Sequence, residues 1–405
     1  MVCSKIRLSS ARANIGSRVA ADLGLELPSS ADPFSRESIQ HLVARYGSPL
    51  FIIDAERVRL QYRRLAAALP GVVLHYALKP LPHAALISTL NAEGAYFDLA
   101  SNGEVELVRG LKIAPQRCIH THPIKRDSDI RTALDFGVDT FVVDNPDELR
   151  KFEKFKRAKL MIRVCFRSPV AQCDLSRKFG CDPAQVSSMM SLAAELRLEV
   201  IGLSFHVGSQ TADPQMHVKA IDFCRSVLNE GLHAHQLSTL DIGGGFPVDY
   251  AQSALPIEEF CAPIVKALSR VKPGVRIIAE PGRYLSAPAV VTVAQVMGRA
   301  LREGKWWYYL DDGIYSSYSG QLYDHVTYAV EALVPPGENF PSVLAGPTCD
   351  SIDVINEHIL LPILRAGDLI LGRSMGAYTW ACASNFNFFP RPTILALDHG
   401  RLMVN

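Results

Sequence analysis

Between residues 72 and 280 the chain repeats one pattern eight times, a short apolar run followed by a longer stretch of helical character. The runs cover 72–77, 96–99, 117–120, 140–143, 160–166, 200–206, 239–242 and 275–280. They show little polar alternation, as expected of parallel strands covered on both faces. Helical segments fall between them at 82–90, 102–110, 125–136, 145–155, 183–196, 214–230 and 257–268. Eight βα steps are the number that closes a TIM-type (β/α)8 barrel. An open doubly wound sheet is the competing architecture, but no glycine-rich nucleotide turn follows an early strand.

The flanks read differently. A helix is expected over 35–46, capped by Ser35 or Ser38, then a strand over 50–54 and a helix over 55–68. After Arg283 long helices give way to short β-rich runs at 290–296, 306–310, 342–344, 368–371 and 392–397. The expected organisation is a barrel over 48–283 and a β-rich domain over 284–405, with residues 1–47 packed against the latter. Before Asp22 the chain is basic and serine-containing, which fits a transit peptide or a frayed extension; the extension is the favoured reading.

Composition excludes some partners. The net charge is +1, from 42 basic and 41 acidic residues, so no basic surplus points to nucleic acid or an anionic membrane. No apolar run is long enough for a bilayer. Nine cysteines without a CxxC pair suit a reducing, cytoplasmic setting.

Candidate chemistry gathers where the apolar runs end. The run 72–77 leads into Lys79, and a lysine desolvated at a barrel mouth can lose its proton and form a Schiff base. Asp241-Ile242-Gly243-Gly244-Gly245 follows the seventh strand, and consecutive glycines let backbone N–H groups approach an anion. Glu280-Pro281-Gly282-Arg283 follows the eighth, so the loops after the last two strands form a phosphate site in the usual place. Arg283 would serve phosphate. Glu280 cannot, because like charges repel, and a pyridinium nitrogen would suit it. His206 ends the sixth strand as a base, a metal ligand or a stacking surface, and Ser209 could donate a hydroxyl to phosphate. Cys118, His120 and His122 alternate, but the set lacks a recognised zinc spacing, so no metal is expected. Polar clusters in the β-rich part are Tyr323-Asp324, Cys349-Asp350 and Gly376-Ala377-Tyr378. The cysteine beside a carboxylate fits either an acid–base group or an inert buried thiol.

Together the stretches YALK at Lys79, FDLAS around Asp98, SFHVGS around His206, DIGGGFP, EPGRY, LYDH, GPTCDSID and MGAYT resemble the fold-type III pyridoxal-phosphate decarboxylases of ornithine, lysine, arginine and diaminopimelate. Within that family the resemblance is to the ornithine decarboxylases, and it runs in order from about residue 50 to 390. It implies an alanine-racemase-like pairing of barrel and β domain, with pyridoxal 5'-phosphate as cofactor. Lys79 would carry the cofactor, His206 would stack on its ring and Glu280 would pair with its ring nitrogen. Ser209, Gly243, Gly244, Gly245, Gly282, Arg283 and Tyr378 would complete its binding, mainly at the phosphate. Tyr323, Asp324 and Asp350 would hold the substrate, and Cys349 would return a proton. Asp98, Glu104 and Arg163 would give polar support. The resemblance also implies a homodimer with shared active sites, Cys349 and Asp350 coming from the partner.

The implied reaction is decarboxylation of a basic L-amino acid, foremost L-ornithine to putrescine in polyamine biosynthesis. Lysine, both substrates, or a related diamino acid derivative remain alternatives. Asp350 follows Cys349 where diaminopimelate decarboxylases have Cys-Glu, which favours a distal ammonium without a distal carboxylate. A racemase and a catalytically inactive regulator are the rival classes.

Overall fold

The apolar runs form a closed parallel barrel whose strands follow one another in chain order: Val72–Ala77, Tyr96–Leu99, Cys118–His120, Thr140–Val143, Lys159–Val164, Glu199–Phe205, Thr239–Asp241 and Arg276–Ala279. The computed structural model describes residues 32–403, apart from 168–170, 174, 231–236 and 251–253. The eighth strand pairs with the first, Ile278 opposite Val73, and closes the cylinder.

Side-chain alternation then decides what faces inward. Ile119, Val142, Met161 and Ile278 fill the interior as a small apolar cluster, with Val73 and Ile201 packed against them. Two residues further along each strand the same face is presented one layer higher. Thr121 stands above Ile119, Arg163 above Met161 and Glu280 above Ile278. The barrel is therefore apolar at mid-height and polar at the C-terminal edge.

Helices start where the sequence supplies caps. Ser35 Oγ accepts the Ser38 N–H at 3.2 Å to start Arg36–Tyr46, and Asp54 Oδ1 accepts the Glu56 N–H at 3.0 Å to start Ala55–Ala68. Asn145 caps Pro146–Lys151 with proline at its first position.

The β-rich part is one mixed sheet. Its main path runs Val354–Leu361, Phe340–Ala345, Lys305–Leu310, Val290–Arg302, Leu50–Asp54, Thr393–Asp398 and Arg401–Leu402. Leu369–Gly372 pairs with Val290–Arg302 and with Val330–Ala332. The expected run 290–296 extends to Arg302, because Glu303 (φ 51°) and Gly304 (φ 75°) turn it back on Lys305–Leu310 in a two-residue hairpin. Val330–Ala332 and Val354–Leu361 were not expected; the latter alternates polar and apolar residues only weakly.

One assignment changes. The strand Leu50–Asp54, expected within the barrel unit, hydrogen-bonds in this second sheet, antiparallel to Val290–Arg302 and parallel to Thr393–Asp398. Leu50 and Ile52 face one apolar cluster while Phe51 and Ile53 face the other, so the strand is buried on both sides and reads like a barrel strand. The chain returns to the barrel with the helix Ala55–Ala68. Ile39 and Leu42 of Arg36–Tyr46 pack in the same cluster as Leu50, Ile52, Val291 and Leu395. The basic stretch before Asp22 lies outside the described residues. No described helix is long and apolar enough to cross a membrane.

The barrel and the sheet meet closely at Gly376. A Cβ there would sit 1.9 Å from Ser286 O and 2.8 Å from Val290 Cγ2. Gly376→Ala should therefore destabilise the protein by about 3 kcal/mol or more, since backbone blocks relaxation. Gly110→Ala, where nothing lies within 4 Å, should be neutral or slightly stabilising. Thermal melts of the two variants check this.

Candidate active site

A cavity of about 460 Å³ opens at the C-terminal edge of the barrel, between the strand ends and the β-rich part. It is lined by Lys79, Asp98, Arg163, His206, Ser209, Gly244, Gly245, Glu280, Gly282, Arg283, Tyr323, Asp324 and Tyr378, among others. Residues from eight separate stretches thus converge, six of them at barrel strand ends as the fold requires.

Lys79 projects into open cavity space, so its side chain is solvent-accessible although protein surrounds it. The expectation that burial frees its proton is corrected. Burial does oppose the charge, but Tyr378, Asp98 and Glu280 outweigh it and raise the ammonium pKa. The site favours a cationic nitrogen at this atom.

That field comes from a cluster of buried acids. Glu280 is pushed well above the usual carboxylate range by burial and by neighbouring Asp241. Asp98 is likewise raised, by burial and by Glu280, and accepts from Thr121 Oγ1 at 2.5 Å. Asp241, pushed up to about 6 by burial, accepts the Gly243 N–H at 2.9 Å and the Ser204 hydroxyl at 3.2 Å. Arg163 lies over the Phe179 ring at 5.5 Å. His206 is held neutral by burial, with Lys79 and Arg163 adding to the effect. Its Nδ1 accepts the Gly208 N–H at 3.0 Å. Glu104, outside the cavity lining, accepts the Ala100 N–H at the start of the next loop.

Opposite the acids stands an anion cradle. Arg283 donates to Ser209 Oγ at 2.8 Å and to the Tyr250 hydroxyl at 3.1 Å, and its guanidinium lies 4.9 Å from the Tyr378 ring centre. It also forms a buried ion pair with Asp324. The glycines are required by close approach. A Cβ on Gly243 would meet Phe205 O at 2.2 Å, and one on Gly244 would meet Glu280 O at 2.7 Å and His206 Nε2 at 3.1 Å. Gly245 has φ +97°. Gly282 packs on Pro80, whose Cγ would lie 2.7 Å from an added Cβ. Pro80 O accepts the Tyr378 N–H at 3.1 Å, so the lysine loop is tied to the β-rich part.

A flat, phosphorylated, aldehyde-bearing pyridine fits this arrangement. Glu280 Oε1, Arg283 Nε and an Arg163 nitrogen are buried without a partner among the described residues. A buried carboxylate oxygen without a partner suits a cationic ring nitrogen, and a guanidinium N–H without one beside a glycine cradle suits an anion. His206 offers a neutral aromatic face between them.

Two expected residues are elsewhere. Cys349 is exposed and Asp350 half-buried, and neither lines the cavity of its own chain. Asp350 accepts from the Tyr315 hydroxyl, and this bond first, then desolvation, pushes the Tyr315 pKa up to about 12. Tyr315 stacks on Phe386 at 4.4 Å, and the Cys349 N–H donates to Asn387 Oδ1 at 3.0 Å. Phe388, beside Asn387, is 92% exposed. Sequence reading also missed Tyr250 and Gln210. The Gln210 amide exchanges two hydrogen bonds with the Val248 backbone, at 2.9 and 2.7 Å, and fixes the loop beyond the glycines. Only the position of Gln210 next to Ser209 hinted at this.

The family described as pyridoxal-dependent decarboxylase, pyridoxal binding domain, matches residues 55–287. A lysine/ornithine decarboxylase of Vibrio vulnificus, solved with putrescine, superposes with a TM-score of 0.86 at 52% identity over 90% of this chain and 98% of that one. A lysine/ornithine decarboxylase of Selenomonas ruminantium is 34% identical over 90% of this chain and 93% of its own length. An ornithine decarboxylase of Mus pahari is 38% identical over 85% of this chain and 79% of its own. The lysine at the barrel mouth, the acid cluster beside it and the glycine–arginine cradle opposite thus belong to a member of the pyridoxal-dependent decarboxylase family, with pyridoxal phosphate as its cofactor.

Proposed function

We propose that this protein decarboxylates basic L-amino acids, with L-ornithine, giving putrescine, as first substrate and L-lysine as second. The observation that carries the reading is one cavity holding Lys79 with Asp98, Glu280 and Tyr378, together with Arg283, the glycine turn and Asp324. Lysine is kept because one methylene discriminates only about 10- to 200-fold in a pocket, and relatives at 52% and 34% identity are named for both substrates.

Bound pyridoxal phosphate supplies the electron sink that lets an α-carboxylate leave as carbon dioxide. Lys79 would hold its aldehyde carbon, and His206 would stack against the ring. Glu280 would hold a proton at the ring nitrogen. Ser209, Gly243, Gly244, Gly245, Gly282, Arg283 and Tyr378 would hold the phosphate. An anion on Arg283 would compete with Asp324 for the guanidinium and leave that carboxylate for the substrate's distal ammonium, beside Tyr323. Cys349 would deliver a proton to the substrate Cα, and Asp350 would add a second carboxylate at the distal end.

Cys349 and Asp350 would come from a second copy of the chain, in a two-fold dimer with shared sites. Support lies in the exposure of Cys349, in the absence of both residues from their own cavity, and in Phe388, Ile352 and Tyr323, large side chains exposed in the same or neighbouring loops. We place the enzyme in the cytoplasm, in keeping with the free thiols of the seven described cysteines. Nucleic acid and membrane are not proposed as partners.

Carbon dioxide release from L-ornithine, L-lysine, L-arginine and diaminopimelate tests the reading. Ornithine and lysine should be turned over with kcat/KM values within about 200-fold of each other, and diaminopimelate should be poor. Appearance of D-ornithine without putrescine would make it a racemase, and no reaction with bound cofactor an inactive homologue. Lys79→Ala should lose turnover and the visible absorbance of lysine-bound cofactor; near-normal turnover would sink the assignment. Asp324→Asn should raise KM for ornithine by about tenfold or more, as a charged partner is lost. Gly244→Ala should keep the circular dichroism of the native fold yet retain cofactor poorly through dialysis, because its Cβ would push on Glu280 and His206.

A further inference from the structure

The three carbonyls of the glycine turn are tied to three different places. Gly243 O accepts the Glu280 N–H at 2.8 Å, and Gly245 O accepts the Thr211 N–H at 3.0 Å. Gly244 O alone is tied by a side chain, His217 Nε2 at 3.1 Å, from the first turn of the helix Gln215–Glu230. A trans peptide points its C=O and N–H in opposite directions. Pulling the Gly244 carbonyl outward to His217 therefore turns the Gly245 N–H toward the cavity that Gly245 lines.

His217 is built for that one contact. It is fully buried, stacked on Phe246 at 5.5 Å and 25°, with the edges of Phe260 and Phe205 at 5.8 and 6.3 Å. A carbonyl only accepts, so Nε2 must carry the hydrogen. Nδ1 has no partner among the described residues, and burial lowers the ring pKa to about 4. A neutral ring in a single tautomer results. Packing alone would be met by phenylalanine; only the donor requires histidine.

We infer that His217 is a positioning residue for the cofactor, orienting the Gly244–Gly245 peptide so that its N–H meets the phosphate. This rests on the pyridoxal phosphate reading of the cavity. The test uses full-length protein stripped of cofactor, titrated separately with pyridoxal 5'-phosphate and with pyridoxal, which lacks the phosphate. Lysine-bound cofactor absorbance and tryptophan quenching give each affinity, and melts report the fold. His217→Phe keeps the aromatic packing and removes the donor. It should weaken pyridoxal phosphate about tenfold and leave pyridoxal within about twofold. His217→Gln, which can still donate an N–H, should recover most of the loss. Equal weakening of both ligands would mean that His217 only packs, and unchanged affinities would mean that the peptide orients itself; either overturns the proposal. If His217→Phe does not fold, His217→Leu, which also lacks a donor, is judged on the same two affinities with the same expectation. Wild-type protein that binds neither ligand would overturn the cofactor reading with it, which separates the two failures.

Discussion

Buried charge is the constraint on which this site depends. Asp98 and Glu280 line the acid side of the cavity, with Asp241 buried beside Glu280 and with Lys79 and Arg163 as the nearby cations. Isolated carboxylates in such a setting would simply stay protonated. Here Asp98 and Glu280 raise the Lys79 pKa while their own are pushed up, which is a mutual arrangement and belongs to no single residue. A cationic ring nitrogen against Glu280 would relieve the excess, and an anion against Arg283 would complete the other half. The chain has, in effect, folded around the charge pattern of a zwitterionic ring.

Holding that pattern needs two units in register. The barrel supplies the strand ends, but Tyr378 and Asp324 come from the β-rich part. One backbone bond, Tyr378 N–H to Pro80 O, links the loop after Lys79 to the loop that meets Arg283. Gly282 packs without a Cβ against Pro80. Pro80 thereby has a physical role. Gly376 makes the adjoining close contact with Ser286. Loosening this seam would move the phosphate side of the site relative to the lysine.

Much of this was legible because parallel barrel strands leave a local signature. A run such as 72–77 is apolar along its length, and the residues beyond its end face the mouth by geometry alone. Lys79, His206, Glu280 and Arg283 could be placed that way. The strand Leu50–Asp54 misled for the same reason: two-sided burial in the second sheet gives the same apolar run as two-sided burial in a barrel. The Arg283–Tyr250 and His217–Gly244 contacts join residues whose pairing depends on how separate loops and helices pack. No periodicity encodes them. The positions of Cys349 and Asp350 were recognisable only through resemblance, since nothing local says which cavity a surface loop will serve.

We propose that the site is completed between two chains. The most direct measurement is complementation between two inactive forms, Lys79→Ala and Cys349→Ala, mixed by co-refolding. In a mixed dimer with shared sites, one site carries both lesions and the other carries neither. Half the dimers are mixed and half of their sites intact, so about a quarter of wild-type activity should return. A mixture that stays inactive, with mixed dimers demonstrated by mass, would show that each site is built within one chain and would contradict the account.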